Sequence, residues 1–325
     1  MKMEKIDTTL TRMLGIRYPI IMAPMFLVSN TAMSIAAIQQ GITAAIPALN
    51  YRTEEEFKSA IRQIKAQAKG PIGINLIVNK SNFRMKKDLQ TCLDLHVDFI
   101  ITSLGSPKEV IRACKKEGIK VFCDVTEETY GRKVEDLGAD ALIAVNNQAG
   151  GHAGKLSPEE LISILIKTCE IPVISAGGVG NGQQWKKVLE LGACGVSMGS
   201  PFIASHEAAV SQEYKEAIVQ YGAKDIVMTT KLSGTPCTVI NTPYVQKVGT
   251  DQSWLEKLLN NNKKLKKFAK MLTFRKGMKS LEKAAFNTTY KTVWCAGPSI
   301  EFVKEIRPVS EIIAAMVEEY EAVPQ

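Results

Sequence analysis

Histidine is scarce in this 325-residue chain, with three copies (His96, His152, His206), and its seven cysteines are never spaced C-x-x-C. Thiols that are odd in number and scattered exclude a disulfide framework or a zinc ribbon and fit a reducing compartment. No apolar run reaches the ~18 unbroken residues of a membrane helix. The uncharged stretch from Tyr18 to Tyr51 comes nearest, but Pro19, Pro24, Asn30, Gln39, Gln40 and Pro47 punctuate it. Lys2, Glu4, Lys5 and Asp7 stand where a secretory leader would be apolar, so a cytoplasmic protein with no membrane partner is expected. No G-x-G-x-x-G fingerprint follows a first strand, which argues against a dinucleotide ligand.

What is present is an ordinary globular composition, 45% hydrophobic and 23% charged, with a net charge of +8 that points to an anionic ligand or partner. Short apolar runs alternate with helical patterns. Strands are predicted at 20–23, 42–46, 72–76, 98–102, 120–124, 141–145, 172–176 and 195–198. Helix starts are marked by Asn30, by Thr53-Glu54-Glu55-Glu56, by Ser106-Pro107-Lys108-Glu109 and by Ser157-Pro158-Glu159-Glu160. Eight strands with helices between them predict a (β/α)8 TIM barrel, with a doubly wound open sheet as the alternative. The barrel is expected over 1–222. An inserted, mostly helical lid is expected over 223–289, opening with extended segments at 226–231 and 238–241 and turning helical and lysine-rich over 255–286, and a return to the barrel with a last helix is expected over 290–325.

The barrel reading puts Asn146 to Gly154, with sequence NNQAGGHAG, directly after the sixth strand. Three glycines around His152 leave room for a flat ligand and allow positive φ. Two glycine turns, Ser175 to Gly180 after strand seven and Met198-Gly199-Ser200 after strand eight, sit where barrels of this class bind phosphate through backbone N–H groups. Asp124 ends strand five on the same face, as a ligand contact or a loop cap. His96 reads as a structural or surface residue, and His206 as a supporting one expected to begin a helix beside the phosphate turn.

Pro19 to Met25 (PIIMAPM), Gly73 to Leu76 (GINL), Ala149 to Gly154 (AGGHAG), Ala176 to Gly178 (AGG), Met198 to Phe202 (MGSPF) and Trp294 to Gly297 (WCAG) together resemble the nitronate monooxygenase family. That family, formerly 2-nitropropane dioxygenase, includes FMN-dependent enoyl-acyl carrier protein reductases and some NADH:quinone reductases. The resemblance implies an FMN-binding barrel with a helical lid. It implies that Met22, Ala23 and Pro24 pass along the isoalloxazine edge and that Asn75 hydrogen-bonds its pyrimidine side. Gly177, Gly178, Gly199 and Ser200 would hold the phosphate, and His152 would face the substrate as the catalytic residue. Gln148, Gly151, Ala176 and Met198 lie in the same motifs and are counted with Asp124 in the cofactor site. Three positions depart from the family pattern: Gln148 replaces a frequent glutamate, Pro201 an arginine and Cys295 a serine.

The expected activity is oxidation of alkyl nitronates by O2 to a carbonyl compound and nitrite. The alternative is an NAD(P)H-dependent reductase of an enoyl thioester or a quinone, for which a basic lid would suit an acidic carrier protein. The lysine-rich segment also raises nucleic-acid binding. It lacks interleaved aromatics beyond Phe268 and Phe274 and carries no recognition motif, so no nucleic-acid partner is expected. The oligomeric state is left open.

Overall fold

A computed structural model describes residues 5–80, 82–231, 236–250 and 293–323. The chain opens with helix α1 (Thr9–Leu14), then runs β1 (Ile20–Met22), α2 (Thr31–Gln39), β2 (Thr43–Pro47), α3 (Glu54–Gln67), β3 (Ile72–Ile77) and α4 (Met85–Asp94). It continues through β4 (Phe99–Ser103), α5 (Lys108–Glu117), β5 (Lys120–Val125), α6 (Glu128–Asp136) and β6 (Ala141–Val145). A two-residue strand β7 (Gly151–His152) precedes α7 (Pro158–Thr168), β8 (Val173–Ala176), α8 (Gly182–Glu190), β9 (Gly195–Met198), α9 (Ser200–Ile203) and α10 (Gln212–Gln220). Strands β1 to β6, β8 and β9 form a closed parallel barrel in that order. The last pairs back on the first, with Met22 opposite Met198, and this closure rules out the open doubly wound sheet.

The strands read as almost unbroken apolar runs because both of their faces are covered. Ile21, Ala45, Phe99, Ile101, Phe122, Ile143 and Ile174 fill the interior, and Leu10 and Ile16 from α1 and the turn after it join that cluster. Phe99 and Phe122 stack with centroids 5.0 Å apart. Gly73 makes room for them, since a Cβ on β3 at that position would collide with the Phe99 ring. The outward set, including Ile20, Ile46, Ile74, Val121 and Leu142, packs against Met33, Phe57, Ile61, Leu161 and Trp185 of the surrounding helices. Truncating such a buried ring to alanine costs about 3–5 kcal/mol.

Helix starts follow the capping residues with one exception. Thr53 with Glu56 and Ser157 with Glu160 form capping boxes, and Asn30 accepts the N–H of Met33. At α5, however, Pro107 is itself the cap residue in helical geometry and Ser106 supplies no cap bond. His206 does not begin a helix; it lies in an exposed turn whose N–H bonds the Arg307 carbonyl.

Beyond α10 come β10 (Ile226–Thr229), β11 (Cys237–Ile240) and a short helix α11 (Pro243–Val248). These strands pair antiparallel, and β11 also pairs with β7, placing Cys237 opposite His152. The histidine turn is therefore not a free loop but the edge of a three-stranded sheet over the barrel mouth. The lysine-rich stretch expected as a helical lid, 255–286, lies outside the described residues. The last helix, α12 (Val309–Ala322), packs on α8 through Trp185 and Tyr320, 4.4 Å between centroids, and Glu319 accepts the Gly182 N–H. Among the described residues no helix is long and apolar enough to cross a membrane.

Candidate active site

The C-terminal ends of the barrel strands surround one cavity of about 840 Å³. That volume lies within the roughly 300–1,000 Å³ usual for cofactor and small-molecule sites. Ala23, Pro24, Asn75, Asp124, Gln148, Gly151, His152, Ala176, Gly177, Met198, Gly199 and Ser200 all line it. Two candidates do not. Met22 is fully buried and its side chain packs in the layer between barrel and helices. Gly178 sits behind Gln148, whose side-chain oxygen occupies the space a Cβ would need.

On one side of the mouth, the ends of β3, β4 and β5 carry a polar chain. Asn75 Nδ2 donates to the Ile101 carbonyl at 3.2 Å and to Ser103 Oγ at 2.7 Å, and Ser103 Oγ donates to Asp124 Oδ2 at 2.5 Å. Burial disfavours the Asp124 carboxylate and pushes its pKa up to about 6, although the Ser103 hydrogen bond acts the other way. Ser103 was not legible as a site residue. Its one signal was a second hydroxyl, after Thr102, at the end of an apolar run.

On another side stands the histidine turn. The imidazole is exposed to the cavity, yet the protein around it disfavours the cation and lowers its pKa from the ordinary value. Thr238 Oγ1 on β11 donates to the Ala149 carbonyl at 2.5 Å and so pins the turn. Gly150 is glycine because a Cβ there would lie 2.8 Å from Ser200 Oγ and 2.9 Å from Gly297 N. The same Ser200 oxygen accepts the Gly297 N–H at 2.9 Å, which ties the histidine turn, the turn after β9 and the chain at Gly297 into one packed unit. Thr238 and Gly297 come from beyond the barrel sequence, so no local pattern pointed to Thr238.

The third side is formed by the glycine turns. Gly177 and Gly178 have φ of 109° and 83°, which side-chain-bearing residues resist. Lys155 is the one lysine or arginine among the described lining residues, and Pro201 leaves the turn after β9 without a cation. Next to β7 the Cys237 and Cys295 thiols lie 3.9 Å apart, and the Cys295 hydrogen bond and burial hold Cys237 protonated. Among the described residues no group of three side chains could hold a metal ion.

A closed parallel barrel with its titratable groups and glycine turns gathered at the C-terminal mouth defines an enzyme of the (β/α)8 class, and comparison with known proteins makes it an oxidoreductase. The chain belongs to the nitronate monooxygenase family, whose profile matches residues 81–319. It is 28% identical over 270 residues to the nitronate monooxygenase of Pseudomonas aeruginosa, covering 69% of this chain and 77% of that protein. A hydroxy-methyl-oxo-octahydro-indene-carboxyl-CoA dehydrogenase of Rhodococcus jostii is 28% identical over 243 residues, 75% of this chain and 68% of that protein. Among solved structures, FabK from Thermotoga maritima superposes with a TM-score of 0.85 at 28% identity, covering 98% of this chain and 97% of that one.

Proposed function

We propose that the cavity holds FMN and that the protein oxidises alkyl nitronates with O2 to a carbonyl compound and nitrite. The residues present fit that cofactor. The wall carries Met25, Ile77, Ile143 and Val145 for an apolar ring, and the polar chain of β3 to β5 lies across the mouth from the glycine turns, so an elongated ligand can span the two. Bound FMN would supply the electron transfer with substrate and O2, chemistry that belongs to the cofactor. Ala23 and Pro24 would line the ring, and Gly177, Gly199 and Ser200 would face the phosphate.

The observation that carries the reading is His152. An imidazole held neutral on a pinned strand edge and open to the cavity can take the α-proton of a neutral nitroalkane on a ring nitrogen. The resulting imidazolium then holds the nitronate oxygen. A second reading, reduction of an enoyl thioester with NAD(P)H, is supported by the +8 charge, which suits an acidic carrier protein, and by the Rhodococcus jostii relative only in that its name gives a carboxyl-CoA thioester as substrate. The cysteine usage supports a cytoplasmic location. Mixing the FMN-loaded protein with NADH without oxygen separates the two readings. The flavin colour should persist with NADH while nitronate is turned over in air; rapid bleaching by NADH with no nitronate turnover would replace the first reading with the second.

A further inference from the structure

At the ends of β3, β4 and β5 the side-chain donors of Asn75 and Ser103 are all committed within the protein. Asn75 Nδ2 has two hydrogens, and both are committed, one to the Ile101 carbonyl and one to Ser103 Oγ. A carbonyl can only accept, so Ile101 fixes which end of the Asn75 amide is nitrogen. Ser103, having accepted from Asn75, commits its own hydrogen to Asp124 Oδ2. What faces the cavity is the Asn75 side-chain oxygen and, when ionised, the remaining oxygen of the Asp124 carboxylate. Both residues line the cavity, Asn75 almost wholly buried and Asp124 half-buried.

We propose that Asp124, held in place by Ser103 and Asn75, is the specificity-determining residue for a cyclic imide, and that it selects its ligand through the imide N–H. In FMN that group is N3–H, the one donor between two carbonyls on the far edge of the ring from the ribityl phosphate. The inference rests on the FMN reading and deepens it. The ring order of the barrel makes the two ends compatible. The acceptor strip occupies the third to fifth strands around the ring, and the glycine turns follow the seventh and eighth, on the other side of the mouth. A ligand with phosphate at one end and an N–H edge at the other meets both requirements. A ligand edge bearing only carbonyls would face oxygen with oxygen.

The test uses apoprotein titrated with FMN and with 3-methyl-FMN, which lacks the N3 hydrogen, by quenching of flavin fluorescence. In the wild type, methylation should weaken binding about 10- to 100-fold, the range for a hydrogen bond to a charged group. Asp124→Asn can still accept from Ser103 but turns an amide donor toward the cavity. It should bind FMN more weakly and bring the methylation effect below about 3-fold. Steric crowding by the methyl is present in both proteins, so the change in ratio isolates the hydrogen bond. Should Asp124→Asn fail to fold, Asp124→Ala, which has no side-chain acceptor, carries the same comparison. Equal methylation penalties in wild type and variant would overturn the inference while leaving FMN as cofactor. Failure of the wild type to bind either flavin would overturn both.

Discussion

Asp124→Asn should stabilise the ligand-free protein, with a gain that is absent below pH ~4, grows through the window up to about pH 6 and is full above it. Burial raises the Asp124 pKa from 3.8 to about 6. Between those values the folded state holds a proton that the unfolded state has released, so stability falls as pH rises through the window. At 1.36 kcal/mol per pKa unit the accumulated penalty is on the order of 3 kcal/mol above pH ~6 and is absent below pH ~4. Asparagine removes the ionisation and keeps an oxygen for the Ser103 hydroxyl. Unfolding of about 325 residues carries an entropy near 2.1 cal/mol/K per residue, so the gain corresponds to a Tm rise of roughly 4 °C. Differential scanning fluorimetry of both apoproteins from pH 4 to pH 8 reads this directly. A difference that is the same at every pH, or a variant less stable than wild type at pH 7.5, would refute the assignment of Asp124 as a desolvated carboxyl.

His152→Ala should retain FMN and lose about 10² to 10⁴-fold in turnover of neutral nitroalkane. Supplying preformed nitronate should not restore the full rate, because the imidazole also anchors the anion; complete restoration would confine His152 to proton removal. Gly177→Ala should lower FMN retention on gel filtration, because φ is 109° and a Cβ would collide with the Ala149 nitrogen and Asn146 Oδ1. Gly118→Ala, with φ of 69° and nothing within 4 Å, should cost about 1 kcal/mol in backbone strain and leave FMN bound. Thr238→Val removes the hydroxyl that pins the Ala149 carbonyl. It should cost about 0.5–1.5 kcal/mol in stability and reduce turnover more than FMN affinity, read by kinetics beside a flavin titration.

The barrel was legible because its strands are buried on both faces and carry their signal locally: 141–145 and 195–198 were bounded to the residue. Boundaries slipped where an apolar residue flanks the pairing, as at Ile42, which packs in the core just outside β2. The β10 and β11 segments were also visible as extended runs. Their union with the histidine turn was not, because the pairing of Cys237 with His152 joins residues far apart in sequence. Gly178 read as a site residue because its neighbour Gly177 belongs to the same turn; Gly177 lines the cavity, whereas the Gln148 side chain fills the space beside Gly178. The raised pKa of Asp124 comes from burial, which outweighs the opposing hydrogen bond from Ser103 one strand away, and a strand-ending aspartate announces neither. His152 stood out in the sequence because three glycines around one imidazole after a buried strand form a local pattern, and the structure places it in the cavity wall.

The central claim is that the mouth of this barrel binds FMN. Denaturing the purified or FMN-reconstituted protein after gel filtration, and identifying the released chromophore by chromatography and mass, tests it most directly. The expected result is FMN at close to one per chain, with no FAD. Protein that stays colourless after incubation with excess FMN, or that releases a different cofactor, would contradict it.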